Sequence, residues 1–170
     1  MLAKSVQDKM NEQIKNELYS AYFYLSMAAY LESNSLPGAA HWMRLQAQEE
    51  LGHAMKFFDH IHDRGGKVTL QAIEQPPTEF NGLLDVFEKT LAHEKKVTGL
   101  INDLYALAVQ EKDYASQTFL QWFVDEQVEE EKNAELIVQQ IKMIGDHRGA
   151  LFMLDRHLGE REAEEDEEED

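Results

Sequence analysis

No cysteine occurs in the 170 residues, which excludes disulfides, cysteine-ligated zinc or iron-sulfur sites and thiol nucleophiles, and removes any need for an oxidising compartment. Proline is almost as scarce, at Pro37, Pro76 and Pro77 only, so little of the chain is barred from helix. Positive charge is under-represented: 16 Lys and Arg stand against 33 Asp and Glu, for a formal charge of -17. A field of that sign repels phosphate backbones, argues against nucleic acid as a partner and favours cations. Long apolar runs are missing, since the uncharged stretch at residues 18–31 is too short for a bilayer and is interrupted by Ser and Tyr. Met1 to Ser5 lead directly into an amphipathic pattern without an apolar signal region, so a cytoplasmic protein is expected. Alternating polar and apolar runs rich in β-branched residues are also lacking, which leaves no strand candidate.

What is present is helical periodicity, and 43% hydrophobic residues, enough for one compact core. The breakers divide the chain into stretches at residues 5–34, 38–64, 82–110 and 114–144, with Ser5 a candidate cap for the first. A shorter amphipathic segment, residues 148–158, carries Leu151, Phe152, Leu154 and Leu158. At 1.5 Å per residue the long stretches make rods of roughly 40 to 45 Å. Short links between the first two and the last two make hairpins, and the link at residues 67–81 is long enough to cross the whole bundle. The predicted fold is therefore all-α: an antiparallel four-helix bundle with one long crossover and a short fifth helix. It occupies residues 1–160, followed by an acidic tail at 161–170 expected to be disordered and solvated. Eight of the last nine residues are acids, and without them the body still carries about -9.

Each apolar stripe is interrupted near its middle. Met10, Ile14, Ala21, Ala28 and Leu31 share a face with Glu17 and Tyr24. Met43, Ala47, Ala54, Phe57 and Ile61 enclose Glu50 and His53. Phe87, Leu91, Thr98, Ile101, Tyr105 and Ala108 flank Glu94, while Leu120, Phe123, Ala134, Ile137, Ile141 and Ile144 flank Gln127 and Glu130. Antiparallel packing brings these misfits to one level of the core. Two carboxylates about 4 Å apart repel by on the order of 4 kcal/mol at an effective dielectric near 20. No Lys or Arg occupies the stripes to neutralise them. Protonation relieves part of the repulsion; a pair of multivalent metal ions relieves it more directly, with Glu and His as ligands.

Spacing adds a second argument. Glu50 and His53 lie three apart and share one helix face. Carboxylate-bridged dimetal bundles take one Glu from each of two helices and a Glu-x-x-His pair from each of the others. Three of those four elements are present; the fourth is Gln127-Val128-Glu129-Glu130, without a His. Taken singly, Glu17 and Glu94 read as boundary acids and His53 as a core histidine, but their coincidence on four stripes points to metal. Tyr24, and less so Trp122, are candidates for a redox or hydrogen-bonding role beside it. His41, His60, His62, His93, His147 and His157 fall off the stripes or near the ends and are expected at the surface.

The segments Glu17 to Ser20, Gln48 to His53, Lys89 to Glu94 and Phe119 to Glu131 resemble the helix signatures of the bacterial non-haem ferritins, and the resemblance covers roughly residues 1–160. It implies a first iron held by Glu17, Glu50 and His53, and a second by Glu50, Glu94 and Glu130, with Glu50 bridging and Gln127 hydrogen-bonded nearby. A third iron site would map to Glu49, Glu126, Glu129 and Glu130. The implied activity is ferroxidase: Fe(II) is oxidised by dioxygen or hydrogen peroxide and the ferric product is stored as mineral inside a homo-oligomeric shell of 24 subunits, without membrane or nucleic-acid partners. Residues 148–158 match the family's short fifth helix, whose apolar residues would have little to cover in a monomer. The acidic tail departs from the usual ending and would help gather iron if it entered the cavity. Haem-binding relatives carry Met after the bridging Glu and a second Glu-x-x-His; Leu51 and the residue 127–130 segment argue against haem. Two alternatives remain: a di-iron oxidase or peroxide-reducing enzyme that accumulates no mineral, and a purely structural bundle.

Overall fold

In the computed structural model, residues 2–163 are described; the expectation for the acidic tail falls mostly on residues 164–170, outside the described residues. Five helices follow in order: α1 (Lys4–Ser33), α2 (Pro37–Asp63), α3 (Gly82–Gln110), α4 (Tyr114–Ile144) and α5 (Arg148–Leu158). The fold is all-α, as the absence of alternating patterns predicts. Starts and stops follow local chemistry. Pro37 occupies the first turn of α2, where its missing N–H costs nothing. Asp113 caps α4 by accepting from the Ser116 N–H at 3.2 Å, and Gly145 ends α4 with φ 55°, a conformation that suits glycine. Ser5 is not the cap of α1. That helix begins at Lys4 behind Ala3, and the exposed Ser5 hydroxyl instead donates to Glu111 at 2.8 Å, joining the start of α1 to the turn after α3.

α1 pairs with α2 and α3 with α4, and the connection between the pairs runs along α1. Near its start the Lys67 N–H donates to Gln7 Oε1, and Asn11 receives the Thr69 N–H at 2.7 Å while donating to the Lys67 carbonyl at 3.1 Å. Near its end the Ser26 hydroxyl donates to the Pro77 carbonyl at 2.6 Å, and the Gly82 N–H reaches the Tyr30 hydroxyl at 2.9 Å. Asn11 and Tyr30 lie about 28 Å apart along a helix rising 1.5 Å per residue. The crossover therefore climbs most of the bundle, and α3 starts beside the end of α1 and runs antiparallel to it.

The core is divided in two. At the end where α1 turns into α2, Phe23, Met27, Leu31, Met43, Phe87 and Val138 belong to one apolar cluster. At the other end Met10, Ile14, Phe57, Ile61, Ile101, Leu120 and Phe123 form a second. Each buried large apolar side chain contributes roughly 1.5–3 kcal/mol. These two plugs give the bundle the apolar burial that a polar layer between them lacks.

α5 packs on α2 at the upper end. Leu154 and Leu158 are buried and Leu151 joins the same cluster, so these leucines do have an intrachain surface to cover, contrary to the expectation for a monomer. Phe152 and Met153 stay exposed, at 62% and 61%. The joint is polar as well: buried Asp155 accepts from the Gly38 and Ala39 N–H groups at 3.1 and 2.9 Å, serving as the cap that α2 lacks locally. A Cβ on Gly38 would fall 1.7 Å from the Asp155 carbonyl oxygen. Among the described residues no helix is long and apolar enough to cross a membrane. Asp155→Ala is expected to cost about 1–3 kcal/mol by orphaning two buried N–H groups, and Gly38→Ala to expel α5 from its seat. Thermal melts and limited proteolysis at the α4–α5 junction check both; Gly38→Ala melting at the wild-type temperature with no new cleavage would contradict the assignment.

Candidate metal centre

Each of the four long helices sends at least one acid into the layer between the apolar clusters. Glu17, Glu50, Glu94 and Glu130 are all buried, as are His53 and Gln127, so the stripe argument places every one of them correctly. One ligand atom from each of Glu17, Glu50 and His53 lies within 4.8 Å of the others. His53 Nδ1 is 3.4 Å from Glu50 Oε2, as their three-residue spacing on one helix face dictates. The imidazole is held by rings from α4, with Trp122 and Phe123 edge-on at centroid distances of 5.4 and 5.8 Å. Trp122 is 41% exposed, with Lys56 over its outer face, and walls the histidine from solvent.

Glu94 and Glu130 do not belong to that close set; amides and a phenol hold them, and Gln46 links Glu130 to Glu50. Glu94 accepts from the Tyr24 hydroxyl and from Gln127 Nε2 at 3.2 Å. Gln127 also donates toward the Thr98 hydroxyl, which in turn donates to Glu131 at 2.6 Å. Glu130 accepts from Gln46 Nε2 at 2.7 Å, and the same amide reaches Glu50 Oε1 at 3.5 Å. Gln13 donates to Glu17 Oε1 at 2.8 Å. The other oxygen, Glu17 Oε2, is buried without a hydrogen-bond partner and is the one such side-chain atom among the described residues. Glu17, with one oxygen unpartnered, converges with a carboxylate and an imidazole on a set of ligand atoms whose hard oxygens and borderline nitrogen suit iron.

The electrostatics agree. Burial raises Glu17, Glu50, Glu94 and Glu130 above the usual carboxylate range; in Glu17 the Glu50 charge adds to it, in Glu50 the Glu94 charge, and in Glu130 the charges of Glu94 and Glu50. In Glu94 the hydrogen bonds from Tyr24 and Gln127 oppose that rise. Burial, then the neighbouring Glu94, pushes the Tyr24 phenol up, so it stays a proton donor.

Of the residues expected in a third site, Glu130 is buried, Glu49 and Glu126 are half-buried and Glu129 is exposed. The Glu49 carboxylate is gripped by Arg161, whose guanidinium donates to both oxygens at 2.9 and 2.7 Å. Three histidines expected at the surface are partly buried instead. His93 sits among Tyr19, Phe23 and Tyr24, shares a 2.8 Å hydrogen bond with Ser20, and is lowered to about 4 by burial and then by Lys96. His60 stacks on Phe119 at 4.0 Å, and His41 donates to the Arg161 carbonyl. Sequence reasoning also passed over Gln13 and Gln46. Each lies one helical turn before a site acid, Gln13 before Glu17 and Gln46 before Glu50, and that repeated spacing is the signal that could have found them.

Comparison with known proteins agrees with this geometry. A ferritin-like domain family model matches residues 7–144. The chain is 42% identical over 167 residues to a bacterial non-heme ferritin of Staphylococcus saprophyticus, covering 98% of this chain and 100% of that protein. It is 44% identical over 161 residues to one of Bacteroides fragilis, covering 95% and 100%. Among solved structures, an open pore ferritin from the hyperthermophilic archaeon Archaeoglobus fulgidus superposes with a TM-score of 0.95 at 48% identity, covering 95% of this chain and 100% of that one. With a family model spanning most of its length and full-length relatives at this identity, the chain belongs to the ferritin family.

Proposed function

We propose that this ferritin-family chain is a cytoplasmic iron-storage protein with ferroxidase activity, oxidising Fe(II) inside each subunit and storing the ferric product as mineral within a 24-subunit shell. The observation that carries the proposal is the convergence of Glu17, Glu50 and His53 within 4.8 Å in a buried, acid-rich layer, where Glu17 also keeps one carboxylate oxygen without a hydrogen-bond partner. Fe(II) is the substrate. One ion is taken by Glu17, Glu50 and His53 and a second by Glu50, Glu94 and Glu130, with Glu50 shared so that both can serve one oxidant. Each Fe(II) yields one electron: with hydrogen peroxide, the O–O bond breaks and two hydroxides form; with dioxygen, two electrons and two protons give hydrogen peroxide. Gln13, Gln127 and the Tyr24 hydroxyl hold the acids in place, while Trp122 and Phe123 fix the imidazole. Glu49, Glu126 and Glu129 complete the proposal as acids at a third iron site alongside Glu130.

Binding displaces protons from carboxyls held above their ordinary value of 4.5. A raised carboxyl binds its proton more tightly in the folded state, so its contribution to stability is present at low pH and is lost as pH climbs from about 4.5 through the raised value. Chelated protein is therefore expected to lose melting temperature between pH 5.5 and 7.5, and Zn(II) to restore more of it at pH 7.5 than at 5.5. Glu17→Gln should flatten both trends. An identical Zn(II) effect at the two pH values would contradict the linkage.

Glu50→Ala and His53→Ala are expected to slow the fast phase of aerobic Fe(II) oxidation at least tenfold, about 1.4 kcal/mol or more, while leaving the elution volume unchanged. Size-exclusion chromatography with iron analysis reads storage in the same preparation. Many irons per chain coeluting with a very large particle support it; about two irons on a small particle would instead indicate an oxidase without mineral, and equal initial rates would refute the ligand assignment.

A further inference from the structure

The tail expected from the sequence begins at Arg161, yet Arg161 is docked. After α5 the chain turns at Gly159, packed against Gly38, and runs back along α2. The His41 imidazole donates to the Arg161 carbonyl at 2.9 Å, and the guanidinium lies over Trp42 at 4.4 Å. One terminal nitrogen donates to Gln46 Oε1 at 2.9 Å and the other to both oxygens of Glu49. The Arg161 and Glu49 side chains are only 19% and 15% exposed. Trp42, Gln46 and Glu49 lie four and three residues apart on α2, so a single guanidinium can engage all three from one face.

A guanidinium has donors and no acceptor. Gln46 must therefore turn its carbonyl oxygen to Arg161 and its NH2 to Glu130 and Glu50, which is the arrangement seen. That NH2 occupies carboxylate lone pairs that a cation also needs, and Glu49 is already neutralised. Building on the proposed metal centre, we infer that Arg161 acts as an internal competitor for metal: docked on Glu49 and Gln46, it limits how tightly the centre takes cations on the Glu130 side. Undocking Arg161 removes a positive charge, takes the guanidinium off the Glu49 carboxylate and lets Gln46 turn its carbonyl oxygen inward. All three changes favour a bound cation.

The proposal separates from a merely structural role by the sign of the change in metal affinity. Losing a structural contact lowers apo stability and weakens metal binding together. Losing a competitor lowers apo stability yet tightens binding. Anaerobic Co(II) titration of the full chain, followed by calorimetry and by the visible absorption of the bound ion, is expected to show Arg161→Met binding roughly tenfold more tightly than wild type, the size expected from removing one opposing charge in a partly buried site. Arg161→Lys, which keeps the charge but cannot fork to both partners, should fall between the two and remains readable if the methionine variant folds poorly. Glu50→Ala serves as the reference for the centre itself. Its loss of Co(II) affinity, together with tighter binding by Arg161→Met, supports the inference. Its loss with Arg161→Met and Arg161→Lys no tighter than wild type overturns the Arg161 proposal alone; no loss in Glu50→Ala overturns the metal centre and this inference with it.

Discussion

Four carboxyls buried at one level of a bundle cannot all be ionised without a counter-charge, and the rest of the molecule is arranged around that constraint. Burial raises each of them above its ordinary value, and neighbouring acids push Glu17, Glu50 and Glu130 further. Amides and a phenol, not cations, hold them: Gln13 on Glu17, Gln46 on Glu130 and Glu50, Gln127 and Tyr24 on Glu94. Neutral donors leave the negative charge largely unspent for an arriving cation. A lysine in their place would have satisfied the acids and closed the site.

Such a layer weakens the core that contains it, since it replaces apolar packing with groups that would otherwise be hydrated. The two apolar clusters on either side compensate by bracketing the layer and fixing helix register, so that Glu17, Glu50 and His53 converge within 4.8 Å. The crossover contributes too. By hydrogen-bonding along α1 from Asn11 to Ser26, it forces α3 to enter from the upper end, which is what brings Glu94 to the level of Glu17.

Much of this was legible from residue order because it rests on local rules. Gly82, Gln110, Tyr114 and Ile144 are helix ends in sequence and structure alike, and the mid-stripe acids betray themselves by breaking an apolar period. The features that escaped are tertiary. Nothing near Pro37 announces that its helix is capped by Asp155, more than a hundred residues away. His93 reads as a surface residue until Tyr19, Phe23 and Tyr24 close around it. Arg161 stands at the head of an acidic run whose composition suggests solvent, and only the path of the chain after Gly159 delivers it to Glu49 and Gln46. Gln46 itself looks like an ordinary helix residue until Glu130 arrives from α4.

The claim on which all of this depends is that the layer is a cation site and not a tolerated defect of packing. Anomalous diffraction at the iron edge from crystals soaked anaerobically in a ferrous salt addresses it directly. The account requires a strong peak bounded by Glu17, Glu50 and His53, with a second shared through Glu50 toward Glu94 and Glu130. Crystals that show iron on the exposed acids alone, with the layer between the apolar clusters featureless, would contradict it.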